Sequence, residues 1–267
     1  MIYEFSFADR KFESAQKFNA MMAKKRGADR VIKYGEKDID ASFIEDNFDI
    51  WNNERGHGYW IWKPYLTQKT LKEMKDGDYL LYMDSGSCLI DNVQILTDIM
   101  DKDHIDIMVF SLHSIEKYFS KRDAFILLDC DKPEYTETTQ RCATYYLIRK
   151  NEYSQEFVSE WLRYSTDRRI ITNDENVLGE KNYEGFVENR HDQTILSLLS
   201  KKWGIKPYRD PGKYGLDMKY SNDILNRSPY GQVFDDHRYK IMPKTYFTYK
   251  YIPRFFFEKV NRIFGHR

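Results

Sequence analysis

The stretch that most limits what this chain can fold into is residues 75–90, which read K-D-G-D-Y-L-L-Y-M-D-S-G-S-C-L-I. The pair Asp76-Gly77 is typical of a turn, and the apolar run 78–83 has the length of a buried strand. This run stops abruptly at Asp84, which is followed by Ser85-Gly86. Ligands of open α/β sheets bind where strands end, so Asp84 is the first candidate for chemistry. The alternative is that its carboxylate only caps the turn.

The first part of the chain predicts a β-α-β unit. Ile2–Phe7 has the pattern of a strand, residues 11–25 that of an amphipathic helix, and Arg30–Tyr34 that of a second strand. Such a unit predicts a parallel sheet with a right-handed crossover. Because no Pro/Gly/Ser-rich linker divides the 267 residues, we expect a single α/β domain with a mostly parallel central sheet.

The composition narrows the class of partner and the compartment. The 42 Lys and Arg balance the 42 Asp and Glu, so the whole chain has no basic excess for nucleic acid. Three cysteines without metal-ligand spacing indicate free thiols in a reducing compartment. The first residues do not resemble a signal peptide, and no apolar run is long enough to span a bilayer. These features predict a cytoplasmic protein.

A loop rich in glycine, aromatic and basic residues covers positions 53–65, just before a predicted helix. Its glycines allow close backbone approach, its rings offer flat surfaces, and its cations suit an anionic ligand such as a diphosphate. The alternative is a Trp-rich packing hinge. The candidate ligand contacts in this loop are Arg55, Gly58, Tyr59, Trp60, Trp62 and Lys63.

A second polar group comes at the start of a predicted helix near residue 194. His191, Asp192 and Gln193 stand where backbone N–H groups and the positive end of the helix dipole are exposed. The simpler interpretation is that Asp192 is a plain N-cap. Farther along, His237 is a candidate late ligand, although a lone histidine is more often a surface or packed residue.

Residues 238–267 differ in kind from residues 1–237. Eight Lys and Arg face a single acid, Glu258, and alternate with many aromatic residues. This pattern is typical of a segment that lies on an anionic membrane surface, so we expect a peripheral contact with the inner face of the plasma membrane. A terminal helix docked on the domain is the alternative. Nucleic acid is disfavoured, since the rest of the chain adds no basic footprint.

Three motifs occur in order along the chain: R-G-H-G-Y-W-I-W-K-P-Y at 55–65, D-G-D-Y-L-L-Y-M-D-S-G at 76–86 and R-H-D-Q-T-I-L at 190–196. Together they resemble a family of bacterial and viral glycosyltransferases of GT-A type, often found in capsular polysaccharide or lipopolysaccharide gene clusters. The resemblance extends from the first strand to about Trp203. It implies a single Rossmann-like domain that transfers a sugar, hexosyltransferase-like, from a nucleotide-sugar to a glycan or lipid-linked acceptor.

The resemblance also implies roles for individual residues. Asp84 matches the first acid of the Asp-X-Asp motif that holds Mn²⁺ or Mg²⁺ against the donor diphosphate, with Ser85 and Gly86 beside the donor. The third position is Gly86 instead of aspartate, so a metal would depend on Asp84, diphosphate oxygens, water and His237. Arg55 and Lys63 would then balance more of the charge on the leaving diphosphate.

His191, Asp192 and Gln193 match the family's His-Asp-Gln motif beside the transferred sugar and the acceptor, which makes them the expected catalytic residues. Asp192 would bind sugar hydroxyls or orient the acceptor, or act as general base if configuration is inverted. Related enzymes with an Asp-Gln motif commonly retain configuration. The competing interpretation is a non-catalytic GT-A-like scaffold that binds glycans or lipid head groups, which the missing acid at Gly86 and the basic tail would suit.

Overall fold

The computed structural model describes residues 1–246. Its strands are β1 (Ile2–Phe7), β2 (Arg30–Tyr34), β3 (Tyr79–Met83), β4 (Ser87–Leu89), β5 (Ile107–Met108), β6 (Phe110–Ile115), β7 (Thr139–Arg141), β8 (Tyr145–Arg149), β9 (Tyr208–Arg209) and β10 (Phe234–Asp236). Its helices are α1 (Glu13–Lys25), α2 (Ala41–Asp46), α3 (Phe48–Trp51), α4 (Gly56–Tyr59), α5 (Trp62–Glu73), α6 (Gln94–Lys102), α7 (Glu116–Phe119), α8 (Arg122–Leu127), α9 (Pro133–Thr136), α10 (Glu152–Ser165), α11 (Arg168–Ile171), α12 (Asp192–Lys202), α13 (Tyr214–Asp217), α14 (Asn222–Arg227) and α15 (Lys244–Tyr246).

The main sheet has five strands in the order β2-β1-β3-β8-β5. β1 pairs in parallel with β2 and with β3, whereas β8 pairs antiparallel with both β3 and β5. Four strands therefore run in one direction and only β8 opposes them. This confirms the predicted α/β class with a mostly parallel central sheet. Two small sheets, β10-β4 and β7-β6-β9, extend the edge where β3 ends.

Helices cover both faces of the main sheet. Alternate residues of the strands enter two separate cores: Phe5 and Tyr82 pack into one, and Leu81 and Met83 into the other. α5, α10 and α12 supply the first core, while α1 and α6 supply the second. Because both faces are buried, the central strands β3 and β8 are almost continuously apolar. The polar residues that follow the strands are consequently collected at one edge.

Several predicted elements differ from the structure. The sequence pattern predicts one strand at 106–110 followed by an irregular stretch at 111–121, but in the structure β5 and β6 divide there and β6 continues to Ile115. Ser111 is buried and pairs with Arg141 of β7 and with Arg209 of β9, whereas His113 is exposed. Residues 247–267 of the predicted membrane segment lie outside the described residues. Within residues 1–246, no helix combines the length and apolar character needed to cross a bilayer.

β1 contains one residue that conflicts with its surroundings. Glu4 is fully buried between β2 and β3, and neither of its carboxylate oxygens has a hydrogen-bond partner among residues 1–246. Burial raises the pKa of Glu4 well above its ordinary value. The side chain therefore stays protonated in the folded state at pH values where the unfolded chain has lost that proton.

We expect Glu4→Met to raise the free energy of unfolding by about 1–3 kcal/mol at pH 7, because it removes an unpartnered buried polar group. Since the folded-state pKa is raised, wild-type stability falls as pH rises above the unfolded value of about 4.3, and the gain should shrink towards pH 4. Urea unfolding at both pH values measures this. Glu156→Met, at an exposed position of α10, is the control, and an equal effect of the two substitutions would contradict the prediction.

Candidate active site

A buried lysine joins two of the predicted motifs. Lys63, only 3% exposed, places its Nζ 2.8 Å from Asp192 Oδ2 and 3.2 Å from Asp84 Oδ1. The same ammonium donates to the carbonyl of Ala143 at 3.0 Å. Three segments far apart in sequence thus meet at one cation. Lysine is almost never buried to this extent unless it is paired, so the two carboxylates account for its position.

Local structure explains how each carboxylate reaches Lys63. β3 ends at Met83, and the next residue, Asp84, accepts a hydrogen bond from the hydroxyl of Tyr82. Its carboxylate thus contacts Tyr82 and Lys63, while the turn that follows is closed by a backbone hydrogen bond from the N–H of Ser87 to the carbonyl of Asp84. Asp192 is the first residue of α12, and the N-cap position belongs to His191. The N-cap interpretation of Asp192 is therefore wrong, because its carboxylate points to Lys63 instead.

The charges of this triad are mutually dependent. Burial alone would lower the pKa of Lys63, but the carboxylates of Asp192 and Asp84 more than offset this and raise it. Burial raises the pKa of Asp192 to about 6 in spite of the nearby Lys63. The Lys63 ammonium therefore lies between two carboxyl groups, and that of Asp192 takes up a proton more readily than an ordinary aspartate does.

His191 has an unusual backbone and an available nitrogen. Its φ of 55° and ψ of −116° are unfavourable for a residue with a side chain. Nδ1 lies 2.7 Å from the carbonyl of Ile171, which can only accept, so Nδ1 carries the proton. Burial lowers the pKa of His191 to about 4, so the ring is neutral. Among residues 1–246 its Nε2 is buried without a hydrogen-bond partner and is free to accept from a ligand hydroxyl.

The loop before Lys63 contains a strained turn. All five residues from Gly56 to Trp60 have positive φ, including the non-glycine residues His57, Tyr59 and Trp60. A left-handed conformation costs about 1–2 kcal/mol for each residue with a Cβ. Contacts with neighbouring residues hold the turn in place. One of them is between the rings of Tyr59 and His191, whose centroids are 4.6 Å apart. Such concentrated strain is typical of functional sites.

Two cavities adjoin the triad. The first, of about 480 Å³, is lined by the rings of Phe7, Phe12 and Trp62 and by exposed lysines. The second, of about 470 Å³, is lined mainly by carboxylates, amides and basic side chains, including the whole 190–193 segment. Residues that line both cavities, and so lie between them, are Trp60, Asp84, Thr144, Asp236 and Arg238. The arrangement offers an aromatic compartment and a polar compartment that meet at Asp84.

The predicted donor contacts occupy different places around these cavities. Trp62, Ser85 and Gly86 line the first cavity; Arg55, Lys63, His191, Asp192 and Gln193 line the second. Gly58 and Tyr59 line neither of these two cavities. A Cβ on Gly58 would lie 2.9 Å from the Cα of Trp51, so that glycine permits close packing of the chain against itself. The packing interpretation of this loop thus applies to Gly58 and Tyr59.

Asp236 is a site residue that the sequence patterns did not identify. β10 pairs antiparallel with β4 and sets Asp236 opposite Ser87, whose hydroxyl donates to it at 2.6 Å. A Cβ on Gly86 would lie 3.3 Å from the Cα of Arg238, so an aspartate there would press against that backbone. The strand pair therefore brings a carboxylate beside the position where the Asp-X-Asp pattern lacks one. The only local signal was a pair of aspartates before His237.

Negative charge is concentrated around Asp236. Burial raises its pKa to about 6, opposed by the hydrogen bond from Ser87 and reinforced by the carboxylates of Asp210 and Asp84. Asp210, itself buried, accepts from the hydroxyl of Tyr145, and burial raises its pKa as well. Several carboxylates that disfavour one another's charge make this edge of the site suited to a cation.

His237 lies beside this group in sequence but in a different environment. Its ring packs near Phe18, Tyr239 and Tyr246, and its Nδ1 accepts from the backbone N–H of Tyr239 at 3.0 Å. It lines neither of the two cavities described above. In the described part of the chain, no three or more His, Cys, Asp or Glu side chains are arranged to hold a metal ion by themselves.

Comparisons with known proteins give similarity of structure only. No family model and no curated protein sequence matches the chain. Similar solved structures include mouse xyloside xylosyltransferase 1 in its apo form, with 10% identity, 90% of this chain and 98% of that chain covered, and a TM-score of 0.48. Another is galactosyltransferase LgtC in complex with donor and acceptor sugar analogues, with 16% identity, 88% and 86% covered, and a TM-score of 0.48.

A third is the apo form of glycosyltransferase GlyE of Streptococcus pneumoniae, with 13% identity, 88% of this chain and 54% of that chain covered, and a TM-score of 0.42. These neighbours are glycosyltransferases by description. Similarity at these identities and TM-scores does not establish which reaction this chain catalyses. The evidence for its reaction comes from the residues of its own site.

Proposed function

We propose that this protein is a glycosyltransferase that moves a sugar from a nucleotide-sugar to a glycan or glycolipid acceptor. The observation that carries the proposal is the ion triad of the buried Lys63 and Asp192 with the half-buried Asp84, in which Asp84 lines both cavities. One cavity for each substrate, with shared residues between them, is what a transfer between two ligands requires.

The charges of the site agree with the needs of this reaction. Glycosyl transfer passes through a cation-like sugar while negative charge builds on the leaving diphosphate. Asp192 and the acceptor nitrogen of His191 line the polar cavity, where they can bind sugar hydroxyls and favour positive charge. Arg238 lines both cavities and can meet the diphosphate. The aromatic cavity, with Phe7 and Phe12, suits a nucleobase, because rings stack on bases.

A divalent cation fits the carboxylates at the junction of the cavities. Asp84 and Asp236 both line that junction, and mutual repulsion helps to raise the pKa of Asp236. Mn²⁺ or Mg²⁺ prefers oxygen ligands and is commonly held by one or two carboxylates together with substrate phosphates. When bound, such a cation would neutralise charge on the diphosphate. We propose Asp84 and Asp236 as its protein ligands, while a role for His237 stays a prediction.

The finer features of the function rest on the sequence resemblance. Transfer of a hexose, and a place in capsular polysaccharide or lipopolysaccharide synthesis, are proposals that follow from the three motifs. Association with an anionic inner membrane surface is likewise proposed from the basic and aromatic residues of the segment 238–267. If the acceptor is lipid-linked, association with the membrane would bring the enzyme to its acceptor.

The test is a thermal-shift and calorimetric screen against UDP, GDP, CMP and dTDP sugars, with and without Mn²⁺. We expect one nucleotide class to stabilise the protein in a metal-dependent way, since a ligand of the folded state stabilises it by mass action. Asp84→Asn and Asp236→Asn should each lose the metal dependence. Asp98→Asn, at an exposed position of α6, is the matched control.

Each result decides between stated alternatives. No stabilisation by any nucleotide would overturn the proposal. Metal-dependent binding that survives in Asp236→Asn would remove Asp236 from the cation site and leave the donor site intact. Binding without release of nucleoside diphosphate in the presence of glycan and lipid-linked acceptors would favour the non-catalytic, glycan-binding or lipid-head-group-binding scaffold.

A further inference from the structure

Behind the polar cavity lies a network of hydrogen bonds that ends on Gln193. Its innermost member is Glu116, the first residue of α7, which is fully buried. Glu116 Oε2 receives bonds from Ser197 Oγ and Lys201 Nζ, both at 2.5 Å. Its Oε1 receives a bond from Ser120 Oγ at 2.7 Å. A carboxylate that faces an ammonium and hydroxyl donors acts only as an acceptor.

This acceptor determines the orientation of a buried amide. Gln140 in β7 is fully buried, and its Nε2 donates to Glu116 Oε1 at 3.0 Å and to the carbonyl of Phe119 at 3.2 Å. If the amide were reversed, the Gln140 oxygen would face these two acceptors and both bonds would be lost. Its Oε1 must therefore point the other way, where it accepts from Gln193 Nε2 at 2.7 Å.

The orientation of the Gln140 amide in turn fixes the orientation of the Gln193 amide, which lines the polar cavity. Since Gln193 Nε2 is directed to Gln140, Gln193 Oε1 accepts from the backbone N–H of Ala143 at 3.2 Å. The carbonyl of the same Ala143 accepts from Lys63. The described contacts of Gln193 Nε2 use one of its two N–H groups, so a second donor is left for a ligand in the polar cavity that Gln193 lines.

We propose that Gln140 is a positioning residue, which holds the amide of Gln193 so that one N–H faces the sugar or acceptor. The assignment of a sugar as the ligand rests on the proposed function; the orientation of the amide does not. Without Gln140, the Gln193 amide could rotate and present its oxygen to the cavity. That would exchange a donor for an acceptor at a place where a ligand oxygen is expected.

The decisive variant is Gln140→Met, which keeps length and apolar volume but removes both hydrogen-bonding groups. The first measurement is ¹⁵N NMR of the full chain, in which the Gln193 side-chain amide is assigned by its loss in Gln193→Ala. In the wild type we expect the amide proton that Gln193 donates to Gln140 to be protected from solvent exchange and resolved from the second proton, which faces the cavity; Gln140→Met should remove that protection. Unchanged protection would overturn the proposal, and this readout does not require any activity.

The second measurement applies a double-mutant cycle to nucleotide-sugar turnover. We expect Gln140→Met to lower kcat about tenfold or more with the donor KM unchanged, because a misplaced group affects the reacting geometry. If Gln140 acts through Gln193, the substitution should have no further effect in Gln193→Ala. Independent, additive losses would indicate a merely structural role and overturn the proposal.

Two further variants keep the test interpretable. Gln94→Met, at an exposed position of α6, controls for the exchange of glutamine for methionine. Gln140→Asn retains an amide that is one methylene too short to reach Glu116 and Gln193 together, and it should reproduce the loss of amide protection if Gln140→Met does not fold. Absence of turnover in the wild type, with the expected loss of protection in the variants, would reject the proposed function and leave the positioning role standing.

Discussion

Lys63→Met is expected to lower sugar transfer by about 10²–10³-fold and to destabilise the fold by about 3–5 kcal/mol at pH 7, as removal of one partner from a buried ion pair does. Asp192 is 4% exposed and would be left without its cation. It would then take up a proton, so its pKa should move above the value of about 6 that it has beside Lys63.

The loss of stability in Lys63→Met should depend on pH and be smaller at lower pH. Near pH 5 Asp192 is largely protonated even in the wild type, so the difference in unfolding free energy between Lys63→Met and the wild type should be smaller there than at pH 7. Urea unfolding at the two pH values measures it. Lys17→Met, exposed on α1, is the control and should change stability by less than about 0.5 kcal/mol.

Lys63→Arg tests whether a positive charge at this position is sufficient for activity. The lysine side chain is nearly inaccessible, and a guanidinium is larger and directs its donors differently from an ammonium. We therefore expect Lys63→Arg to restore little of the activity. A Lys63→Met protein with wild-type stability at pH 7 and undiminished turnover would contradict the central place given to this residue.

Asp192→Asn should reduce turnover by about 10²–10⁴-fold, the range that a positioned acid or base contributes, while metal-dependent nucleotide binding persists. In the wild type, kcat/KM is expected to rise as pH increases through about 6, because burial raises the pKa of Asp192 and only its ionised form carries the needed charge. Asp192→Asn should lack this rise.

Stability provides an independent check on Asp192. Its folded-state pKa of about 6 lies above the unfolded value of about 3.9, so this group makes wild-type stability fall as pH rises between these values. The fall should be smaller in Asp192→Asn than in the wild type and in the Asp98→Asn control, while Glu4 and Asp236, whose pKa values burial also raises, still contribute to it in all three proteins. A wild-type rate profile that is flat from pH 5 to 8 would show that Asp192 does not titrate in the reaction.

Most of the secondary structure near the site was predictable because the signals are local. β1 and β2 have the predicted bounds, and α1 and α12 agree with the apolar periodicity to within two residues. The turn at Asp84 was recognisable because a buried strand ends abruptly in polar residues. The apolar run 143–149 predicts a strand where β8 lies, but its antiparallel direction depends on a partner, β3, that is more than 60 residues away in sequence.

Asp236 shows most clearly what sequence patterns leave out. β10 has three residues, too few for a periodic signal, and its register against β4 places Asp236 beside Ser87. Gly86 looked like a defect in a metal motif, whereas the structure shows that the backbone of Arg238 occupies the neighbouring space. Both findings depend on pairing between segments separated by about 150 residues, and no local propensity encodes such pairing.

The sequence by itself determined which residue types gather where strands end and helices begin, since turns, caps and apolar periodicity depend on neighbours along the chain. On that basis Asp84 and Lys63 were predicted as site residues, and Asp192 was added by the motif resemblance, each in a separate role. Only the tertiary structure decided that one buried ammonium joins both carboxylates, and that Asp192 is an ion-pair partner instead of a helix cap. The physical reason is desolvation, because a charge removed from water must find its partner in space, wherever that partner lies in the sequence.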